Sequence, residues 1–337
     1  MKKYLITGCL LLCILAFTRS TDNENKSADI NNAIDKSLPL LQASSHIFLE
    51  NIGFCHSCHN QGLGAVNFAL AKEKGFAVRN SIINEALDST CNYWRAHANM
   101  QTLAENDDPV AIVVTGNYDL WALSANKYKS DKMIELLARN IMRKQSYDGS
   151  WVSVGQRPPL EYYSFSATAL AVKNIQDFVP AILRTEVKQR IEKARTWLIR
   201  TTPAANEEKA FQLLGLTWSN ADKKIIARQA KKLLAVQHED GGWPQLDSLQ
   251  TDAYATGQSL YALNQSGQLA ITAPAYQRGI TFLLNTQLAD GSWHVKTRSY
   301  PFVPYVYSGF PHGNDQFISA AGSNWATMAL LLAAKKK

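Results

Sequence analysis

The chain has 337 residues, of which 46% are hydrophobic, and its 35 Lys and Arg against 28 Asp and Glu give a formal net charge of +7. This length suits one large domain or two small ones. The only basic run, Lys335 to Lys337, is typical of a solvated terminus, so the charge excludes nucleic acid as the expected partner.

The first twenty residues are typical of a secretory signal peptide. Two lysines precede an apolar run from Tyr4 to about Phe17, which is the order of a charged region followed by a hydrophobic one. The run is too short for a membrane span, which needs about 20 apolar residues. We expect cleavage after about residue 20 and a periplasmic or extracellular protein without a membrane span.

Two further features concern the ends of the mature chain. Ile6-Thr7-Gly8-Cys9 also fits a bacterial lipoprotein box, so a lipid anchor is the alternative to a free N-terminus. Residues 21–29 are polar and are predicted to be disordered. Residues 30–334 are predicted to form a single domain.

A short cysteine motif, Cys55-His56-Ser57-Cys58-His59, follows the first predicted helix. Cys-x-x-Cys-His is the attachment sequence of c-type haem. It predicts haem c bound by Cys55, Cys58 and His59, with His59 as an axial ligand of the iron. Met100, in His97-Ala-Asn-Met100, is a candidate for the second axial ligand.

Two other uses of these cysteines remain open. Thiols and imidazoles are ordinary zinc ligands, so zinc is the alternative cofactor. The mature chain keeps three cysteines, Cys55, Cys58 and Cys91, and an odd number leaves at least one thiol outside any disulfide. A disulfide from Cys91 to one of the other two is the third possibility.

The most regular pattern is an internal repeat. Three segments end alike: Gln145-Ser-Tyr-Asp-Gly-Ser-Trp151, Gln237-His-Glu-Asp-Gly-Gly-Trp243 and Gln287-Leu-Ala-Asp-Gly-Ser-Trp293. Each follows a helix with one charged face and precedes a helix rich in small and apolar residues, so two helix classes alternate. Outer helices are predicted to start near residues 30, 80, 131, 186, 221 and 273. The predicted fold is all-α: an α/α toroid of about six helix pairs in an inner and an outer ring.

The third of these segments resembles a known repeat. Arg278-Gly279, Phe282-Leu283, Gln287 and Gly291-Ser-Trp293 are similar to the QW repeat of squalene and oxidosqualene cyclases. The resemblance implies the α/α toroid shared by terpenoid cyclases and protein prenyltransferase β subunits. It also implies an apolar or isoprenoid-like small molecule as a possible partner, although a fold alone does not fix an activity.

The acidic motif of those cyclases is missing from this chain. Class II enzymes protonate their substrate with Asp-x-Asp-Asp, which does not occur here, and the nearest position is Asp252 in Thr251-Asp-Ala-Tyr-Ala-Thr-Gly257. Asp252 is therefore a candidate catalytic acid, and N-capping of the helix that begins near Ala253 is its structural alternative. The Asp-x-Cys zinc pair of the prenyltransferases is absent as well.

A long aromatic insert, residues 294–318, contains Gly309-Phe-Pro-His-Gly-Asn-Asp-Gln316. It is either a lid that carries His312 and Asp315 to a site as catalytic residues, or a loop whose aromatic side chains cover the end of the barrel. Because loops that precede inner helices share one rim, residues 55–61, 161–163, 251–254 and 311–316 are predicted to surround one opening. His59 is then expected near His312 or Asp252.

These patterns leave three functional hypotheses. The first is an exported toroid that carries haem c at its mouth and serves redox chemistry, electron transfer or binding of an apolar ligand. The second is a cyclase- or prenyltransferase-type enzyme with Asp252 as acid or zinc as Lewis acid. The third is a non-catalytic binding scaffold.

Overall fold

The computed structural model describes residues 4–52, 58–98, 110–303 and 306–337, with side chains described for 26–51, 60–96, 112–303 and 306–337. Cys55 and Met100 lie outside the described residues. Cys58 and His59 are described in their backbone only.

Twelve α-helices make up most of the described chain. They are α1 Tyr4–Ile52, α2 Leu63–Glu73, α3 Asn80–Ala98, α4 Gly116–Ala125, α5 Lys132–Arg143, α6 Ser164–Phe178, α7 Arg184–Arg200, α8 Asn206–Trp218, α9 Lys223–Leu234, α10 Ala253–Gln265, α11 Pro274–Thr286 and α12 Gln316–Ala333. The one sheet in the described residues is a two-stranded antiparallel ladder of β1, Trp243–Pro244, with β2, Thr251–Asp252.

The helices form two concentric rings. Each even-numbered helix packs against the next even-numbered one, and α12 packs against α2, so the inner ring closes on itself. The odd-numbered helices lie outside it. The predicted all-α toroid with six helix pairs is therefore confirmed.

Burial explains which helices lie inside. The inner helix α10 buries every residue from Ala253 to Leu263, because small and apolar side chains surround its axis on all sides. The outer helix α9 buries only Ile226, Gln229, Ala230 and Leu233, which lie along one face, and its lysines point to solvent.

Three equivalent turns connect outer helices to inner ones. In each turn a glycine with positive φ follows the aspartate: Gly149, Gly241 and Gly291, at 99°, 90° and 90°. The indole that comes two residues later donates to a carbonyl at the end of the preceding outer helix, for example Trp243 Nε1 to Leu233 O at 2.9 Å. The same indole is fully buried, so it fixes the turn by both area and hydrogen bonding.

The glutamine of each turn joins neighbouring outer helices. Gln145 Nε2 donates to Arg190 O in α7, and Gln237 Nε2 donates to Ala275 O in α11, both at 2.9 Å. Gln287 Nε2 donates to Ala33 O in α1 at 2.9 Å. The last of these bonds links the turn after α11 to α1 and closes the outer ring.

The N-terminal helix α1 includes residues 21–29. Lys26 Nζ lies 3.0 Å from Thr281 Oγ1 and 3.3 Å from Gln277 O, so this part of α1 contacts α11. Disorder of residues 21–29 in the mature protein and cleavage after about residue 20 stay predictions.

None of the helices in the described part of the chain combines the length and the apolar character needed to cross a bilayer.

Candidate functional site

All inner helices begin at one end of the toroid, which we call the N-terminal rim. It is defined by the starts of the inner helices, residues 63, 116, 164, 206, 253 and 316. Two of these helices, α2 and α4, are preceded by π-helical turns, Cys58–Gly62 and Val110–Thr115, which contact each other. The end of the cysteine motif therefore lies on this rim.

The residues directly after His59 are fixed in place. Ser44 Oγ donates to Asn60 Oδ1 at 3.3 Å, and Gln61 Nε2 donates to Ser45 O at 2.8 Å. A Cβ at Gly62 would lie 2.9 Å from the Cβ of Tyr118, so the turn packs closely against α4. The end of the motif is thus held between α1 and α4.

The loop that carries His312 reaches the same end of α1. Asn51 Nδ2 donates to Tyr307 O at 3.4 Å. Gly309 lies against Ile47, where an added Cβ would come within 2.5 Å of its Cδ1. The Cys58–Gly62 turn and the 306–316 loop therefore flank the C-terminal end of α1.

His312 and Asp315 have separate partners. His312 Nε2 lies 2.9 Å from Ser292 Oγ, and Asp315 Oδ2 lies 2.8 Å from His294 Nε2. The two imidazole rings stack with their centroids 4.8 Å apart. Burial, together with the neighbouring His294, lowers the pKa of His312, which favours its neutral form. The rings join the loop to the third turn, which contains Ser292.

Asp252 is an N-cap. Its Oδ1 accepts from Ala255 N and its Oδ2 accepts from Gln245 Nε2, both at 2.9 Å. Arg298 Nη1 donates to Gln245 Oε1 at 2.9 Å, and this bond extends the network to the insert. Burial raises the pKa of Asp252 to about 6. Among the described contacts, none joins Asp252 to His312 or Asp315, although all three lie on the N-terminal rim.

A buried carboxyl group that sequence reasoning missed lies deeper in the ring. Glu207, in the first turn of α8, is 2% exposed. Tyr254 Oη lies 2.5 Å from its Oε2, and Gln258 Nε2 lies 3.4 Å from the same oxygen. Burial raises the pKa of Glu207 to about 8, so the group is protonated at neutral pH. One feature of the sequence could have pointed to Glu207: it is an acidic residue in a helix whose other residues are typical of the inner ring.

Aromatic side chains fill the axis of the ring below Glu207. The Trp121 ring lies 5.9 to 6.3 Å, between centroids, from four others: Tyr118, Trp218, Tyr261 and Trp325. Phe211 packs on Trp325 at 6.2 Å. The described rings therefore occupy this part of the axis, and a ligand would also need space at the rim.

The rim offers such a space. A cleft of about 600 Å³ opens between the starts of α6 and α8 and the aromatic insert. Its lining includes the rings of Tyr162, Tyr163, Phe165, Trp197 and Tyr300. Tyr300 is tied to this place because its N donates to Gln156 O at 3.1 Å and its Oη donates to Tyr162 Oη at 3.1 Å.

Comparison with known proteins supports the fold. No family model matches the chain. Among solved structures, the type II terpene cyclase MstE from Scytonema in complex with merosterolic acid A (product) is similar with a TM-score of 0.54 and 14% identity, over 93% of this chain and 99% of that one. The complex of MstE with geranylgeranyl dihydroxybenzoate (substrate) gives 0.53 and 14%, over 92% and 99%. At this identity the likeness shows a terpenoid-cyclase-like fold.

Proposed function

We propose that this chain is an exported toroid that carries haem c on its N-terminal rim and serves electron transfer or redox chemistry beside an apolar ligand. One observation supports the proposal. The Cys55–His59 motif ends just before α2 on the N-terminal rim, and the loop that carries His312 reaches the same rim. Residues 1–20 would act as the signal peptide, and the mature protein would be periplasmic or extracellular, where c-type haem is attached.

The residues of the motif match those that attach c-type haem, both in residue type and in their order along the chain. Cys55 and Cys58 would hold the porphyrin through two thioether bonds, and His59 would bind the iron through an imidazole nitrogen. Met100 stays the candidate for a second ligand of the iron. Asn60 and Gln61 anchor the motif to α1 and so fix its orientation. A bound haem would supply a one-electron redox couple at the rim.

The surroundings of Cys91 support separate roles for the cysteines. Cys91 is fully buried in α3 and unpaired. Burial raises the pKa of its thiol, which disfavours the reactive thiolate. Separate roles would leave Cys55 and Cys58 to act together, as haem or zinc binding requires.

The apolar ligand is proposed for the rim cleft. The aromatic side chains of its lining would contact an apolar or isoprenoid-like chain, and its polar lining residues, which include Gln156 and Glu208, would face a polar group of the ligand. The MstE structures of similar fold hold a product and a geranylgeranyl substrate.

A visible absorption spectrum tests the haem assignment. The full chain would be exported from cells that contain the haem-maturation machinery, purified, and measured before and after reduction. We expect the sharp reduced bands of a c-type haem, and none in the Cys55→Ala/Cys58→Ala variant. A colourless protein with one bound zinc would favour the zinc alternative.

A second candidate is acid catalysis in the ring, favoured by the protonated carboxyl of Glu207 beside aromatic rings. Protonation of an alkene needs a neutral acid, and aromatic faces stabilise the cation that forms. Glu207 meets the first condition at neutral pH, whereas Asp252 accepts a hydrogen bond from the backbone at one oxygen, as an N-cap, and from Gln245 at the other. Incubation with geranylgeranyl dihydroxybenzoate tests this candidate: a cyclised product lost in Glu207→Gln and kept in Asp252→Asn supports it, and recovery of unchanged substrate opposes it.

A further inference from the structure

The positive charge of the chain is concentrated on two successive outer helices. α7 and α9 contain 11 of the 35 Lys and Arg but only 2 of the 28 Asp and Glu. Without these two helices the chain would be slightly acidic, although its formal net charge is +7. One side of the toroid therefore differs in charge from the rest of the molecule.

Basic side chains cover the solvent side of α9. One face of this helix is buried, and the opposite side exposes five cations: Lys223, Lys224, Arg228, Lys231 and Lys232. The helix contains no acid, and the nearest acids along the chain, Asp222 and Glu239, lie beyond its two ends. Within the described part of the chain, no ion pair reaches the side chains of these five residues.

The neighbouring outer helix α7 extends this surface. Its two acids are already paired, Glu186 with Arg190 and Glu192 with Arg195. Arg195 Nε also donates to Ser219 O at 3.0 Å, and this bond joins α7 to the segment that leads into α9. Further exposed cations of α7 make no ion pair with the residues that the structure describes: Arg184, Lys188, Lys193 and Arg200.

The residue types on this surface indicate what it would bind. Lysine is depleted at interfaces between proteins, where tyrosine, tryptophan and arginine are enriched. Four of the five exposed cations of α9 are lysines, and the helix has no aromatic residue. Clusters of four to eight basic residues on an amphipathic helix are typical of binding to anionic lipids.

An exposed apolar side chain lies beside the cations of α7. Ile182, just before the helix, is 91% exposed, and it lines one surface groove together with Arg190 and Lys193. An apolar side chain of this kind can enter the boundary between the headgroups and acyl chains of a bilayer. A soluble polyanion would offer Ile182 no such contact.

We propose that the side of the toroid formed by α7 and α9 docks on a membrane that is rich in anionic phospholipids. The basic side chains bind the lipid phosphates, and Ile182 enters the headgroup layer. The contact is peripheral and does not involve a spanning helix.

This orientation has a consequence for the rim cleft. Trp197, in α7, and Thr201 and Thr202, which follow it, belong to the lining of the cleft. Docking through α7 therefore holds the cleft close to the bilayer, which is the usual source of an apolar ligand. This consequence rests on the ligand proposed above, whereas the docking itself depends only on the surface of α7 and α9.

Co-sedimentation with lipid vesicles tests the docking surface. The exported protein would be mixed with vesicles of phosphatidylcholine alone and of phosphatidylcholine with phosphatidylglycerol. We expect binding to the anionic vesicles only, and its loss at high salt, because salt screens the attraction between exposed charges and lipid phosphates. A lipid anchor at Cys9 would bind both kinds of vesicle and would not produce this difference.

Charge-neutralising variants locate the surface. Each basic side chain near an anionic bilayer strengthens binding about five-fold. Lys224→Gln/Arg228→Gln/Lys231→Gln should therefore bind anionic vesicles about 100-fold more weakly than the parent. The matched control is Lys132→Gln/Lys335→Gln/Lys336→Gln, which removes the same charge from exposed positions outside α7 and α9 and should stay within a few-fold of the parent. Circular dichroism checks the fold of each variant.

Ile182→Ser distinguishes a bilayer from a soluble polyanion. It should weaken binding to anionic vesicles and leave retention on a heparin column unchanged. Unchanged vesicle binding of this variant would overturn the choice of a bilayer. Absence of binding by the parent, or an equal loss in the two triple variants, would overturn the docking surface. A chain that docks normally but never binds haem would refute the proposed cofactor alone, so the two failures are distinguishable.

Discussion

Two carboxyl groups near the N-terminal rim show how single residues acquire different properties in this ring. Asp252 accepts hydrogen bonds from a backbone N–H and from Gln245 at its two oxygens, and the pKa rises to about 6. Glu207 is enclosed by Tyr254 and Gln258, and its pKa rises to about 8. Burial is the main cause in both cases, and the hydrogen-bond donors oppose it.

The raised pKa of Glu207 predicts a pH-dependent stability. In the unfolded chain the group ionises near 4.5, whereas in the folded protein it stays protonated to about 8. Over this window unfolding releases a proton, so the free energy of unfolding falls as pH rises. Glu207→Gln keeps the shape and removes the titration. Its stability relative to the parent should therefore increase by a few kcal/mol from acidic to mildly alkaline pH, since one pKa unit corresponds to about 1.4 kcal/mol.

Thermal unfolding of both proteins across this pH range measures the difference. Glu186→Gln is the control, because Glu186 pairs with Arg190 on the exposed outer helix α7. Its difference in stability from the parent should stay within about 1 kcal/mol at every pH, because an exposed ion pair contributes no more than that. Parallel curves for Glu207→Gln and the parent would show that Glu207 is ionised in the folded protein.

His312 gives a second prediction at this scale. The substitution His312→Ala removes one hydrogen bond to Ser292, which keeps its bond to Asp290. The melting temperature should change little, because a single hydrogen bond contributes about 0.5–1.5 kcal/mol. The haem spectrum or the ligand affinity should change, whereas His238→Ala, in the second turn, should alter neither. A large loss of stability would instead identify the loop as a structural plug.

The three Asp-Gly turns are the elements that set the spacing of the outer helices. Each turn places its glycine against the next outer helix: an added Cβ would lie 2.5 Å from Lys193 O at Gly149, 2.5 Å from Arg278 O at Gly241 and 2.6 Å from Lys36 O at Gly291. The repeated contact explains why glycine recurs at this position. It also explains how the third turn packs α11 against α1.

Gly291→Ala should therefore weaken the closure of the ring. Its control is Gly267→Ala, at φ +69° with no atom within 4 Å of the added Cβ. In the control, the only cost to the free energy of unfolding is that of the left-handed backbone conformation, about 1–2 kcal/mol. Gly291→Ala adds the clash with Lys36 O, so its loss in the free energy of unfolding should exceed that of the control by about 1–3 kcal/mol. Urea unfolding measures the free energy of unfolding of both variants. Equal losses would show that the contact between residue 291 and Lys36 O contributes little to stability.

Local signals in the sequence located most helices but not every contact among them. The outer helix predicted near residue 131 begins at Lys132, because the Asp131 side chain accepts from two backbone N–H groups. The contact of Lys26 with α11 joins residues about 250 positions apart and leaves no local pattern in the sequence. Glu207 was missed for the same reason, since Tyr254 and Gln258 come from another helix.

At the scale of the whole molecule, ring closure brings the last helices of the chain against α1. Gln287 donates to Ala33 of α1, and Lys337 Nζ lies 2.7 Å from Asp35 Oδ2. The Cys58–Gly62 turn, which leads into α2, contacts both α1 and α12. Alternating helix classes allowed this neighbourhood to be predicted from sequence, but the separate partners of Asp252, His312 and Asp315 depend on side-chain packing.

The mass of the exported protein under denaturing conditions tests the central claim, that Cys55 and Cys58 bind haem covalently. The protein would be produced with the haem-maturation machinery and compared with its Cys55→Ala/Cys58→Ala variant. We predict the mass of the chain without residues 1–20 plus one haem, and the loss of that addition in the variant. The mass of the polypeptide alone, or that mass reduced by one disulfide to Cys91, would contradict the account.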